Sequence, residues 1–423
     1  MSNFLHIVFW LLVAVWFFRK FHAKSYFIWI CLSVVLKIVA TFAFVYLHET
    51  LYSHYTPDYT LIFADACKLS DLIHKDFFSY TKILLSSPAD TENWHLASQP
   101  RAFFAVKLYS PLVWLTGKKF WFSMIYASFL ALVALWWLVG TLAKLFPKYK
   151  KASVVSFIFL PSVLFWASAT SKEVLLMIFL AVLSGLFLNF LYRGLVWWQV
   201  IIFLVIAYWL ASLKYYYAFG FLLLVCLQLF LIFFKQLNFW LKIISALGVL
   251  TIAFGLTFLH PNLQLHHFAE ALYDNYTLIL QASAEGSAMD LGLEPTWQSL
   301  LLHAPLGLWV GLFAPLPHQA SKWQMLPITL ESSFVLALWI YVIFLMFRDK
   351  SLIKNFSEDT KSKILLLCVG LFVLVMATFL GLSSPNFGAL SRYRIGFLPF
   401  EICFLLILLQ EIKNKSTTSK SSA

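Results

Sequence analysis

Long apolar runs recur along almost the whole chain, and they limit its fold more than any other feature. They lie at about 4–18, 26–47, 120–146, 153–168, 174–192, 196–212, 216–234, 239–259, 329–347, 363–381 and 395–411. A backbone in hydrocarbon has to satisfy its own hydrogen bonds, so each run is expected to be helical. Runs of ~17–25 residues match the thickness of a bilayer core at a rise of ~1.5 Å per residue. The expectation is an all-α polytopic membrane protein with about eleven transmembrane helices, some of them short. Composition agrees, since 61% of the 423 residues are hydrophobic and only 12% are charged. A soluble domain of this size does not sustain that balance.

The net charge of +12 does not point to nucleic acid, because the basic residues are dispersed among short loops. Following the runs in alternation puts Arg19, Lys20, Lys24, Lys148, Lys150, Lys151, Arg193, Lys235, the segment Arg348 to Lys363, and Lys413, Lys415 and Lys420 on one side. Short basic loops mark the cytoplasmic face. The chain therefore reads as integral to the plasma membrane, with its amino terminus extracytoplasmic and its carboxyl terminus cytoplasmic. Residues 1–413 read as one transmembrane domain, and 414–423 as a disordered cytoplasmic tail rich in Ser, Thr and Lys. Met1 to Phe18 lacks the charge order and cleavage site of a signal peptide. The five cysteines show no CxxC spacing, so no disulfide framework is expected.

The other face carries two long loops, 48–119 and 260–328, with most of the acidic residues. Residues 103–116 are apolar but hold Lys107 and Pro111, the pattern of an interfacial helix. Phe268 to Gln281 reads as an amphipathic helix, and Ser283 to Glu294 as a loop. Residues 300–316 are broken by Pro305, Gly307, Gly311 and Pro315, so they read as re-entrant or interfacial.

Three constellations on this face bear chemistry. Asp58 and Asp65 follow an outward-going span, where a carboxylate at the surface can take a proton from a hydroxyl. Pro57-Asp58 is also ordinary turn chemistry. In Pro161 to Glu173, Thr170 or Ser171 caps a new helix and Glu173 suits its positive end. Lys172 opposes that dipole, yet an ammonium beside free backbone N–H groups makes an anion site. In Ser391-Arg392-Tyr393-Arg394, two arginines on an extended strand would point the same way and grip one phosphate. Snorkelling to lipid phosphates is the plainer role. Lys214 adds a cation at an outer helix end among tyrosines. Asn386 precedes the arginine motif, Tyr393 stands inside it, and Glu331 is a helix-start carboxylate. Lys37 and Glu401, both inside spans, are expected to neutralise each other. No metal spacing, Walker loop, GxGxxG or GxSxG occurs, so no cofactor is assigned; a divalent metal held by an outer-loop aspartate is the alternative, with no spacing to support it.

Together these motifs resemble the C-type membrane glycosyltransferases, which include protein mannosyltransferases and lipid A aminoarabinose transferases. The stretch PSVLFWASATSKE at 161–173 looks like a recurrent segment of bacterial members, and SRYR at 391–394 is similar to basic motifs near their last spans. An apparent extra span before the acidic loop departs from the family pattern. The resemblance implies transfer of a sugar from a polyprenyl-phosphate donor to a glycan, lipid or protein acceptor. Asp58 or Asp65 would be the base. Lys172, Arg392, Arg394 and Lys214 would bind the lipid phosphate, supported by Glu173, Tyr393, Asn386 and Glu331. A polymerase or ligase of lipid-linked oligosaccharides would use the arginines without the aspartates. A flippase or transporter would be expected to show inverted repeats, and none is visible.

Overall fold

The computed structural model describes residues 26–51, 56–86, 92–234, 264–283, 286–319, 323–348 and 360–421, with a few single positions such as His6. The spans expected at 4–18 and 239–259, together with Arg19, Lys20, Lys24, Asp90 and Lys235, fall largely or wholly outside the described residues. Every named element among the described residues is a helix. In chain order these are α1 (Phe27–Leu51), α2 (Asp58–Lys75), α3 (Phe77–Leu85), α4 (Pro100–Leu115), α5 (Phe120–Leu145), α6 (Lys150–Ile158), α7 (Pro161–Trp166) and α8 (Lys172–Arg193). They continue with α9 (Trp197–Phe234), α10 (Leu265–Gln281), α11 (Trp297–Phe313), α12 (Leu326–Arg348), α13 (Thr360–Ser383), α14 (Phe387–Arg394) and α15 (Leu398–Ser421).

Among the described residues, six helices are long and apolar enough to cross a membrane. A seventh is counted if α14 and residues Leu398–Ile412 of α15, bent by 63°, form one broken span. The expected count of about eleven includes two runs outside the described residues, so six or seven is the number established among the described ones. Three expected spans map differently onto the helices, for identifiable reasons. The run 153–168 is divided between α6 and the six-residue α7, because Pro161 has no N–H to continue the first helix. The runs 196–212 and 216–234 both lie in the 38-residue α9, where two helical stretches meet at a kink at Lys214 (φ −146°, ψ 81°). Helix α15 runs to Ser421, through the polar segment that reads as a disordered tail.

The interfacial expectation for 103–116 meets a real helix, α4, which accommodates Pro111 in its interior. The re-entrant candidate at 300–316 is α11, which carries Pro305 and ends at Phe313. Helix α8 shows how local sequence sets its bounds. The Ser171 side chain accepts from Val174 N at one end, and Gly194, at φ 96°, stops the other.

The helices gather into two compact units, residues 1–141 with 163–214, and residues 142–162 with 215–423. In the first unit, α2 lies along α4, α3 rests on α2, and α4 touches α8. Trp136 Nε1 donates to Ser33 Oγ at 3.0 Å, and Thr41 Oγ1 to Ser128 Oγ at 2.9 Å, tying α5 to α1. In the second unit, α11 lies along α13 over most of its length. Asn275 Nδ2 donates to Ser383 O at 2.9 Å and fixes α10 to the end of α13. The loop before α11 meets the turn before α14 through Met289 N to Pro385 O (2.9 Å) and Phe387 N to Ser287 O (3.0 Å).

Glycines explain the closeness of α11 and α13. Gly307 and Gly311 stand one turn apart, the small-x-x-x-small spacing that lets helix backbones touch. A methyl added at Gly311 would overlap the Ala377 carbonyl, and one at Gly381 would overlap the Gly307 carbonyl. The obstruction is backbone, so no side chain can swing away. Gly311→Ala is expected to destabilise the purified protein by roughly 1–3 kcal/mol or more, the cost of overpacking. Gly140→Ala, with open space around the new methyl, is expected to leave thermal unfolding in detergent unchanged. Equal melting of the two variants would refute backbone contact at Gly311.

Candidate functional site

The segment Val163 to Glu173 organises the first unit. Helix α7 ends at Trp166, and the chain reverses through Ala169, which adopts φ 61°, before Ser171 caps α8. Ala167, Ser168, Ala169, Thr170 and Ser171 are all buried. A buried turn has backbone groups that water cannot serve, so side chains from other helices must. Lys37 Nζ, from the middle of α1, donates to Leu164 O at 3.0 Å and also to Ala167 O. Ser128 Oγ accepts from Ala169 N at 2.9 Å. Tyr109 OH, from α4, donates to Ser171 O at 2.7 Å. Burial first, and then the nearby Glu173 carboxylate, push the Tyr109 hydroxyl well above the ordinary phenol range, so it remains a donor. Thr170 Oγ1 donates to Tyr59 O at 3.0 Å, which brings the start of α2 to the turn.

That bond places Asp58 beside Lys172. The two close an ion pair of 3.0 Å, with side chains 23% and 19% exposed. Each stands at the first position of its helix, Asp58 of α2 and Lys172 of α8. The carboxylate suits the positive end of its own helix, and the ammonium opposes the dipole of its own, so pairing relieves Lys172. An aromatic group adjoins the pair. The His48 ring lies 4.2 Å from Phe44, 5.8 Å from Tyr59, 6.0 Å from Trp166 and 6.3 Å from Phe165. The Tyr59 hydroxyl is buried and has no hydrogen-bond partner among the described residues. Burial, followed by the charge of Glu49, raises it to about 12.

The neighbouring residue behaves differently. Glu173 is 1% exposed and takes a hydrogen bond of 3.0 Å from Lys214, which is 5% exposed. Lys214 reaches it from the one non-helical residue of α9. This pair is a buried strut, and Lys214 is thereby turned inward rather than presented to a lipid phosphate. Asp65 is also committed. Fully buried, it accepts from Leu96 N at 2.9 Å and from His95 N at 3.2 Å, with Lys68 at 3.5 Å. It holds the loop before α4 to α2.

The arginine motif lies in the second unit and is helical, not extended. At ~100° per residue, Arg392 and Arg394 point about 200° apart and cannot form one fork. Arg394 is 1% exposed, donating to Leu312 O and Ala314 O, both at 3.1 Å, and to Ser332 Oγ at 3.0 Å. It closes the end of α11. Arg392 and Tyr393 are half-buried, and the Tyr393 carbonyl accepts from Tyr217 OH at 2.6 Å. Asn386 caps α14 by accepting from Ala389 N at 2.9 Å, and its amide donates to Ser283 Oγ and Ser287 Oγ. Glu331 sits in the second turn of α12, not at its start, and accepts from the backbone N and hydroxyl of Ser162. Glu401 accepts from Trp339 Nε1 at 2.7 Å. Lys37 and Glu401 thus have these partners rather than the mutual neutralisation expected of them.

Of the ten residues singled out from sequence, the structure joins Asp58 to Lys172 and Glu173 to Lys214. Sequence reasoning missed Tyr109 and Ser128, which look like ordinary members of apolar runs. Among the described residues, no group of three or more His, Cys, Asp or Glu gathers as metal ligands would. No family model, no curated protein and no solved structure matches the chain.

Removing one partner of a buried ion pair strands the other charge, at a cost of roughly 3–5 kcal/mol. Lys214→Met is therefore expected to destabilise the protein strongly. Glu173→Gln in the same chain is expected to recover most of that loss, read as thermal unfolding in detergent. Additive losses in the double variant would show that the two side chains do not depend on each other.

Proposed function

We propose that this chain is a membrane glycosyltransferase that moves a sugar from a polyprenyl-phosphate donor to an acceptor hydroxyl at the extracytoplasmic face of the plasma membrane. The observation that supports it is the Asp58–Lys172 pair, partly exposed at the first turns of two helices. A pair partly open to solvent can exchange partners, and a donor phosphate is an anion that an ammonium can hold in place of a carboxylate. Donor phosphate engaging Lys172 would release Asp58 to accept the acceptor's hydroxyl proton. The acceptor oxygen then bonds to the anomeric carbon, the carbon–phosphate-oxygen bond breaks, and polyprenyl phosphate leaves with its charge held by Lys172. Backbone N–H groups at the start of α8 add to that stabilisation. His48, Phe165 and Trp166 cluster with Tyr59, the residue that follows Asp58. The chemistry as written needs neither Asp65, whose carboxylate accepts from His95 N and Leu96 N, nor Arg394, whose two terminal nitrogens hold Leu312, Ala314 and Ser332.

The test uses the full chain in the membranes of cells that depend on it, with envelope glycans compared by mass spectrometry. Asp58→Asn is expected to cut product by roughly 10²–10⁴-fold, the usual contribution of a general base, at an unchanged level of protein in the membrane. Lys172→Arg should retain more product than Lys172→Met. Full glycan from the Asp58→Asn variant would sink the transferase and favour a polymerase or ligase. Counterflow of a labelled lipid-linked glycan into vesicles, without new glycan bonds, would favour a transporter.

A further inference from the structure

Helix α3 presents an apolar wedge that the proposed chemistry does not use. Phe77, Phe78 and Leu85 are 62%, 78% and 90% exposed. Phe78, Lys82 and Leu85 fall at i, i+4 and i+7, so they share one face. Lys75 and Lys82 are exposed beside these rings. The nearest acid, Asp76, is spent as the helix cap, accepting from Ser79 N at 3.0 Å and Ser79 Oγ at 2.5 Å. The opposite face is anchored. Tyr80, 6% exposed, hydrogen-bonds Ser110 at 3.2 Å, and Lys107 Nζ donates to Ser86 O at 2.6 Å just past the helix end. The wedge is therefore held out rigidly and does not hang from a loose loop.

Its surroundings select the occupant. The segment that contains α3 is tethered between α1 and α5, both long and apolar enough to cross a membrane. Trp114 and Trp121, 42% and 43% exposed, mark the level at which indole rings prefer the headgroup region. Trp114 Nε1 donates to His74 Nε2 at 2.8 Å, which sets that level beside the start of α3. Three apolar side chains on nine residues are too small for a stable protein interface, which needs ~800 Å² per partner. They suffice for a surface to which the chain is already tethered, and exposed lysines complement anionic headgroups.

We propose that α3 seats in the headgroup–acyl boundary of the same bilayer, with Phe78 and Leu85 among acyl chains and Lys75 and Lys82 on lipid phosphates. The site is then coupled to the membrane surface through two adjacent residues of α4. Ser110 holds Tyr80 of α3, and Tyr109 holds the Ser171 carbonyl next to Lys172.

The experiment places a benzophenone amino acid at Phe78, or separately at Leu85, in the full chain in nanodiscs. One set of discs is phosphatidylcholine and another contains phosphatidylglycerol. Irradiation is expected to give phospholipid adducts at both positions, with yield several-fold higher in the anionic discs. Lys75→Gln with Lys82→Gln is expected to abolish that increase. No lipid adduct at either position, or adducts joining two copies of the chain, would overturn the proposal. Equal yields in both kinds of disc would overturn the role given to the lysines. None of these readouts depends on the transferase activity.

Discussion

The Lys37 ammonium on the carbonyls of Leu164 and Ala167 is the interaction on which the first unit turns. A cation in the middle of an apolar helix is costly unless its donors are used. Here they close the carboxyl end of α7, where the helix dipole is negative and carbonyls lack intrahelical partners. That closure lets the chain reverse inside the protein at Ala169. The reversal delivers Ser171 as a cap and Lys172 to Asp58. Arg394 performs the equivalent task in the second unit, closing the end of α11 through Leu312 and Ala314. Both buried cations thus serve helix ends that water does not reach.

Much of the helical framework was legible because hydrocarbon admits few alternatives. The spans near 26–47, 120–146, 174–192, 329–347 and 363–381 correspond to long helices within a few residues. The failures have physical causes. Pro161 splits one apolar run, and periodicity does not register a missing N–H. Lys214 marks a single-residue break, and its charge and its tyrosine neighbours look the same whether the chain turns or merely kinks. Pro385 and Gly388 before Arg392 suggest a turn and extended chain, yet Asn386 caps a helix there instead.

The candidate site was legible in part for a similar reason. Asp58 and Lys172 were visible as charges that local structure did not explain. Glu173 had a local explanation, the positive end of its helix, and its buried partner Lys214 lies 41 residues away. Asp65 was visible but ambiguous. Whether a carboxylate faces a substrate or two backbone N–H groups depends on where the loop of His95 and Leu96 folds, which no spacing reveals. Tyr109 and Ser128 gave no signal because each acts through a single hydroxyl on a distant backbone group, which no local spacing marks.

Adjacent residues show what separates a strut from a site. Lys172 and Glu173 differ by one step of ~100° around the same helix. That rotation takes one side chain to an opening and the other into the packed interior. The Asp58–Lys172 pair keeps 23% and 19% of its side-chain surface, whereas Glu173 and Lys214 keep 1% and 6%. Water screens the first pair and lowers the cost of parting it. Parting the second leaves a charge in a medium that cannot solvate it. Of these two lysines, only Lys172 can therefore exchange its carboxylate for an incoming anion, because solvent already shares its field. Exposure, more than charge, decides which of the two pairs is able to work.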